Sequence, residues 1–110
     1  MPFDITLADR IREIVQDEPG ISEKRMFGGL AFRVDARMAV AASGGGGILV
    51  RVDPGESSSL LADPQVQRME MRGRPMDGWL RVSSEAVVTQ DALRAWVQRG
   101  VGYARSLPEK

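Results

Sequence analysis

The 110-residue chain has no cysteine and no histidine. The first absence excludes disulfides and thiol nucleophiles, and the two together exclude zinc sites of the Cys/His kind. Without histidine the chain also lacks the side chain most often used to move protons near neutral pH. Lysine occurs only as Lys24 and Lys110, so almost all the positive charge is arginine. No apolar run approaches the ~18 residues that a membrane span needs. The opening stretch, MPFDITLADR, has early acids and no apolar h-region, so it is not read as a signal peptide. The expectation is a cytoplasmic protein with no membrane partner.

What is present describes an ordinary globular chain, 43% hydrophobic and 27% charged. At this length one domain spanning residues 1–110 is expected, able to bury roughly 65% of its unfolded surface. The net charge is zero but unevenly spread: residues 1–23 set six acids against Arg10 and Arg12, a balance of −4, and the rest carries +4. A pI of about 6.3 lacks the global field of a strong nucleic-acid binder, though a local basic patch is compatible with it.

Leu7, Ile11, Ile14 and Val15 form one stripe of an amphipathic helix, with Asp4 or Thr6 as its cap and Pro19-Gly20 as its stop. Three β-like runs follow: Lys24 to Val34, Arg37 to Ser43 and Ile48 to Val52. They are separated by Asp35-Ala36 and by Gly44 to Gly47, the spacing of an antiparallel meander. A short helix is expected at Glu56 to Ala62, where Ser57, Ser58 and Ser59 read as helix-start chemistry. With no histidine to act as base they are not read as nucleophiles. Two more strands, Val66 to Arg72 and Trp79 to Val82, flank the turn from Gly73 to Gly78. A final helix is capped by Thr89 and lined by Leu93, Trp96, Val97, Gly100, Val101, Ala104 and Leu107. The expected fold is α+β: a two-layer domain with a five-stranded antiparallel sheet, helices on one face, and the order α-βββ-α-ββ-α.

Gly28 and Gly29 interrupt the apolar run KRMFGGLAF. Phosphate loops place such glycines between a strand and a helix start. Here the run continues as Leu30, Ala31, Phe32 with no helix behind it. The pair is therefore read as strand glycines marking a bulge or a close approach, and Gly44 to Gly47 as a hairpin loop. No D-x-D spacing suggests a carboxylate metal site. The acids of Asp17-Glu18 are read as a solvated helix face. Met26, Met38, Met69 and Met71 are read as inward core filler, and Trp96 and Tyr103 as packing on the last helix. No catalytic residue, metal ligand or cofactor site is expected.

KRMFGGLAFRV, MAV, LVRV, GRPMDGW and LRAWVQRGVGYARSLPEK together resemble the TfoX N-terminal domain family, also called TfoX/Sxy, from about Leu7 to Lys110. The resemblance implies a helix-covered antiparallel sheet and an association with regulation of competence genes. It implies no enzymatic activity and no cofactor, and the family has no agreed catalytic residues to carry over. Longer members carry a second, C-terminal helical domain. In the turn Val34-Asp35-Ala36-Arg37 this chain departs from relatives, which place Asn or Gly there.

If helices cover one sheet face, alternation assigns the other face Arg25, Phe27, Gly29, Ala31 and Arg33 from the first strand. Ala39, Ala41, Leu49, Arg51, Arg68, Arg72, Trp79 and Arg81 follow from the rest. Aromatics and Arg are enriched at interface centres. The expectation is a non-enzymatic regulatory or adaptor domain that binds a protein through this face, foremost a second copy. A solvated face is the plain alternative. The competing class is a binder of nucleic acid or a small anion, in which Arg25, Arg51, Arg74 and Arg81 supply charge and the aromatics stack on bases.

Overall fold

The computed structural model describes residues 4–26, 28–44, 46–71 and 73–107. The first helix, α1 (Ile5–Val15), begins where Asp4 accepts a hydrogen bond from the Leu7 amide, and its buried stripe is Leu7, Ala8, Ile11 and Val15. The last, α3 (Gln90–Ser106), begins where the Thr89 hydroxyl accepts from the Ala92 amide. Both caps satisfy one of the amides that a helix start leaves without a partner.

Among the described residues six strands form one antiparallel sheet, not the five expected. They are β1 (Ile21–Met26), β2 (Gly29–Val34), β3 (Arg37–Ala42), β4 (Ile48–Arg51), β5 (Val66–Met71) and β6 (Arg74–Val82). Their order across the sheet is β1-β2-β3-β4-β6-β5. A 3-10 turn (Pro54–Glu56) runs into the one-turn α2 (Ser57–Leu60), and a second 3-10 turn (Ser84–Val87) joins β6 to α3.

The extra strand comes from the run read as one ribbon from Lys24 to Val34. Met26 pairs with Gly29, so the chain reverses between them in a two-residue turn, and Gly28 takes φ +75. Such hairpin turns favour residues that enter the left-handed region without a Cβ clash. Gly29 has the other glycine role: a Cβ there would stand 2.2 Å from the Ala42 carbonyl oxygen on β3. The pair is thus one turn glycine and one close approach, not two vacancies in a single strand. β6 likewise begins at Arg74, earlier than expected, and Met71 pairs with Arg74.

α1 and α3 lie on one face of the sheet. Leu30, Phe32, Val34, Val40, Ala42, Ile48, Val50, Leu80 and Val82 meet Leu7, Ile11, Val15, Leu93, Val97, Val101 and Ala104 in one core. α3 sits closest at Gly100, where a Cβ would be 2.4 Å from the Ala39 carbonyl oxygen and 3.2 Å from a Val50 methyl. The missing side chain leaves the room that this close helix–sheet contact needs.

Candidate functional site

The sheet face away from the helices carries a second, smaller cluster of buried residues. Ala31, Met38, Ala41 and Leu49 are each no more than 6% exposed, and the half-buried Met69 and Trp79 pack against them. Strand register builds this face. Lys24 pairs with Ala31, Ala31 with Ala41, Ala41 with Leu49, Leu49 with Arg81 and Arg81 with Gln67. In an antiparallel sheet residues directly opposite one another point to the same side, so this row crosses the sheet from edge to edge. A second row sets Arg51 opposite Trp79.

Arginines border the cluster. The Arg51 guanidinium lies 5.1 Å from the centre of the Trp79 ring and 5.9 Å from that of Tyr103 on α3, within cation–π range. Arg33 stands beside Met38 in register, and its Nε is buried with no hydrogen-bond partner among the described residues. Arg81 is exposed. No carboxylate occupies the row from Lys24 to Gln67 or the Arg51–Trp79 pair. The face therefore combines an apolar centre with positive charge.

Of the residues expected on this face, Gly29, Arg33, Leu49, Arg51, Trp79 and Arg81 lie on it. Arg25 does not: it pairs with Leu30, whose side chain is in the helix-side core. A continuous strand would have kept Arg25 and Ala31 on one side. The two-residue turn pairs Met26 with Gly29 instead, and every β1 assignment moves to the opposite face. Arg74 sits at the tip of the β5–β6 hairpin, paired with Met71, away from the cluster. Phe27 and Arg72 lie outside the described residues, as do the side chains of Met26 and Met71.

Two register shifts moved further residues. Between Phe32 and Arg33 the partner changes from Val40 to Met38, leaving Ala39 as the extra residue of a bulge. Ala39 joins the helix-side core and Met38 the open-face cluster, the reverse of the alternation reading. On β5 Arg68 pairs with Leu80 of the helix-side core, while Met69, at the second shift, packs toward the open face. The signal that could have located Met38 is the bulge itself, which has no sequence mark here: Arg33 and Met38 sit inside regular alternation.

On the helix side, a concavity of about 290 Å³ lies between the start of α1 and residues 84–88. Arg10 spans it, donating to the Val87 and Val88 carbonyls at 2.9 and 3.1 Å and to Gln90 Oε1 at 3.0 Å. Its donors are used to tie the helix start to the chain entering α3, so the arrangement is structural.

Compared with known proteins, the chain matches the family described as the TfoX N-terminal domain over residues 13–104. No curated protein and no solved structure matches it. The matched segment contains both sheet faces and nearly all of α3.

Proposed function

The chain belongs to the TfoX N-terminal domain family, and from that premise we propose that it is a non-enzymatic regulatory or adaptor domain working by protein contact. The occupant we assign to its open sheet face is a second copy of the chain. One observation carries this reading: the half-buried Trp79 and Met69, packed on the buried cluster of Ala31, Met38, Ala41 and Leu49, on the sheet face opposite the core beneath α1 and α3. A face built only for solvent would alternate to polar residues there. The family is not a known enzyme family.

The dimensions of the face set the strength of the contact. Six strands of about six residues, at about 4.8 Å between strands and about 3.3 Å per residue, give a face of roughly 500 Å². Two copies stacked there bury about 1,000 Å² in total, the lower bound for a specific interface. The expected dimer is therefore weak and concentration-dependent. Contact falls on the half-buried Trp79 and on the arginines around it, since the centre of the cluster is already covered within one chain.

Charge separates this reading from the second one, in which the same arginines and Trp79 hold nucleic acid. Two copies bring Lys24, Arg33, Arg51 and Arg81 near their counterparts with no carboxylate in the same rows. Salt screens that repulsion over a Debye length of about 8–10 Å, so self-association strengthens with salt. A polyanion bound to the same face weakens with salt, because counterions released into more concentrated salt gain less entropy. Sedimentation velocity of the wild type and Trp79→Arg from about 50 to about 500 mM salt reads the sign directly. Association of the wild type that grows with salt and is lost in Trp79→Arg supports the dimer. A monomer under all conditions refutes it.

A further inference from the structure

A concavity of about 370 Å³ lies at the end of the open-face row, around Arg81 and Gln67, where β6 runs into the turn Ser84–Val87. Its walls include Gly46, Gln65, Gln67, Arg81, Ser83 and Ser84, and no carboxylate lines it. The volume falls within the range of small-ligand sites, about 300–1,000 Å³. Its polar residues are two serines, two glutamines and one arginine.

The walls are fixed by the fold. Gln67 and Arg81 are direct cross-strand partners, and the Ser83 amide donates to the Gln65 carbonyl at 3.0 Å. On the loop side, Gly47 packs so closely that a Cβ there would be 2.2 Å from the Val82 carbonyl oxygen. Arg81 is the one arginine on the wall. Arg10, Arg12, Arg94, Arg99 and Arg105 each donate to a carboxylate, carboxamide or carbonyl. Arg81 has no hydrogen bond, ion pair or ring contact among the described residues.

We propose that this cavity binds a small oxyanion, a phosphoryl group, with Arg81 as the charged anchor and Ser83, Ser84 and Gln67 as neutral donors. A guanidinium presents parallel N–H donors that match phosphate oxygens in pairs. The uncharged donors around it add hydrogen bonds without competing for the anion. The site does not depend on pairing of two copies, since the cavity is complete within one chain.

The test is amide chemical-shift titration of the dilute protein with inorganic phosphate, adenosine 5′-monophosphate, adenosine and a short single-stranded oligonucleotide. Phosphate and the monophosphate are expected to shift the Gln67, Arg81, Ser83 and Ser84 amides saturably, and adenosine is not. At about 10 mM ligand even a Kd of ~1 mM is nearly saturated. Arg81→Gln should weaken binding at least about tenfold, the loss of one charge-assisted pair. Gln67→Glu, which sets a carboxylate opposite Arg81, should do the same. Arg94→Gln on α3 should leave binding intact. An absence of saturable shifts, binding unchanged in both Arg81→Gln and Gln67→Glu, or an oligonucleotide that binds while phosphate and the monophosphate do not, overturns the proposal.

Discussion

Arg51 and Trp79 face each other across β4 and β6, with the guanidinium carbon 5.1 Å from the indole centre. The contact joins register and chemistry. A cross-strand pair places the charge over the ring, and the ring is held by packing against the cluster of Ala31, Met38, Ala41 and Leu49. Tyr103 on α3 lies 5.9 Å from the same guanidinium, so Arg51 also ties the sheet to the last helix. Arg51→Ala is expected to destabilise the fold by about 1 kcal/mol, from the lost cation–π contact and the lost packing of its aliphatic stem. Thermal unfolding reads the loss, and a change in Trp79 fluorescence accompanies it.

The turn between β2 and β3 holds Asp35 at φ 50 and Ala36 at φ 72, both left-handed. A non-glycine residue there costs about 1–2 kcal/mol. Aspartate tolerates the conformation through its short polar side chain, whereas alanine has no such compensation. Ala36 is exposed. Ala36→Gly is therefore expected to stabilise the protein by about 1 kcal/mol, raising Tm by a few degrees in a differential scan.

Gly28 and Gly29 separate two kinds of glycine requirement. A Cβ at Gly28 meets nothing within 4 Å, so Gly28→Ala carries only the left-handed penalty, about 1 kcal/mol. A Cβ at Gly29 is 2.2 Å from the Ala42 carbonyl oxygen, and one at Gly100 is 2.4 Å from that of Ala39. In both the obstacle is backbone, so β2 must leave β3, or α3 must lift from the sheet. Gly29→Ala and Gly100→Ala are expected to cost more than about 2 kcal/mol each. Denaturant midpoints of the three variants should rank Gly28→Ala well above the other two.

Much of the fold was legible in the sequence because its signals are local. Thr89 caps α3 as read and Asp4, one of the two candidates, caps α1; within the stripes read, Leu7, Ile11, Val15, Leu93, Val97, Gly100, Val101 and Ala104 are buried, and Ile14 only partly. The family was legible from its motifs. What failed was parity. The two-residue turn beside Gly28 and the shifts at Phe32/Arg33 and Arg68/Glu70 each invert a stretch of alternation. Their cause is pairing with a distant strand, which a single sequence does not display. Arg25, Ala39, Met38, Arg68 and Met69 changed sides for that reason. Leu49, Arg51, Trp79 and Arg81 kept theirs, since β4 and the end of β6 pair without a shift.

Acid titration should single out one ion pair. Glu23 on β1 accepts from Arg12 Nε at 2.7 Å and from a second guanidinium nitrogen at 2.9 Å, a bidentate bridge from the edge strand to α1. The hydrogen bond from Arg12 holds the Glu23 carboxyl below its usual value, outweighing partial burial, which pushes it up. A carboxyl whose folded value is depressed contributes stability that is complete above its unfolded value of about 4.3 and is lost as pH falls through the folded one. The pair is partly exposed, with the Glu23 side chain 34% accessible, so the contribution is about 0.5 kcal/mol after solvent screening. Glu23→Gln should be slightly less stable than the wild type at pH 7, and the difference should shrink as pH falls below the ordinary carboxyl range and vanish once the folded carboxyl is protonated.

The account rests on the open sheet face as the place where this domain is touched, and concentration-dependent amide shifts test it most directly. Diluting the labelled protein from millimolar to micromolar should move the amides of Ala31, Ala41, Leu49, Arg51 and Trp79, with the outer surfaces of α1 and α3 unchanged. Shifts confined to the helices, or none anywhere in that range, would contradict it.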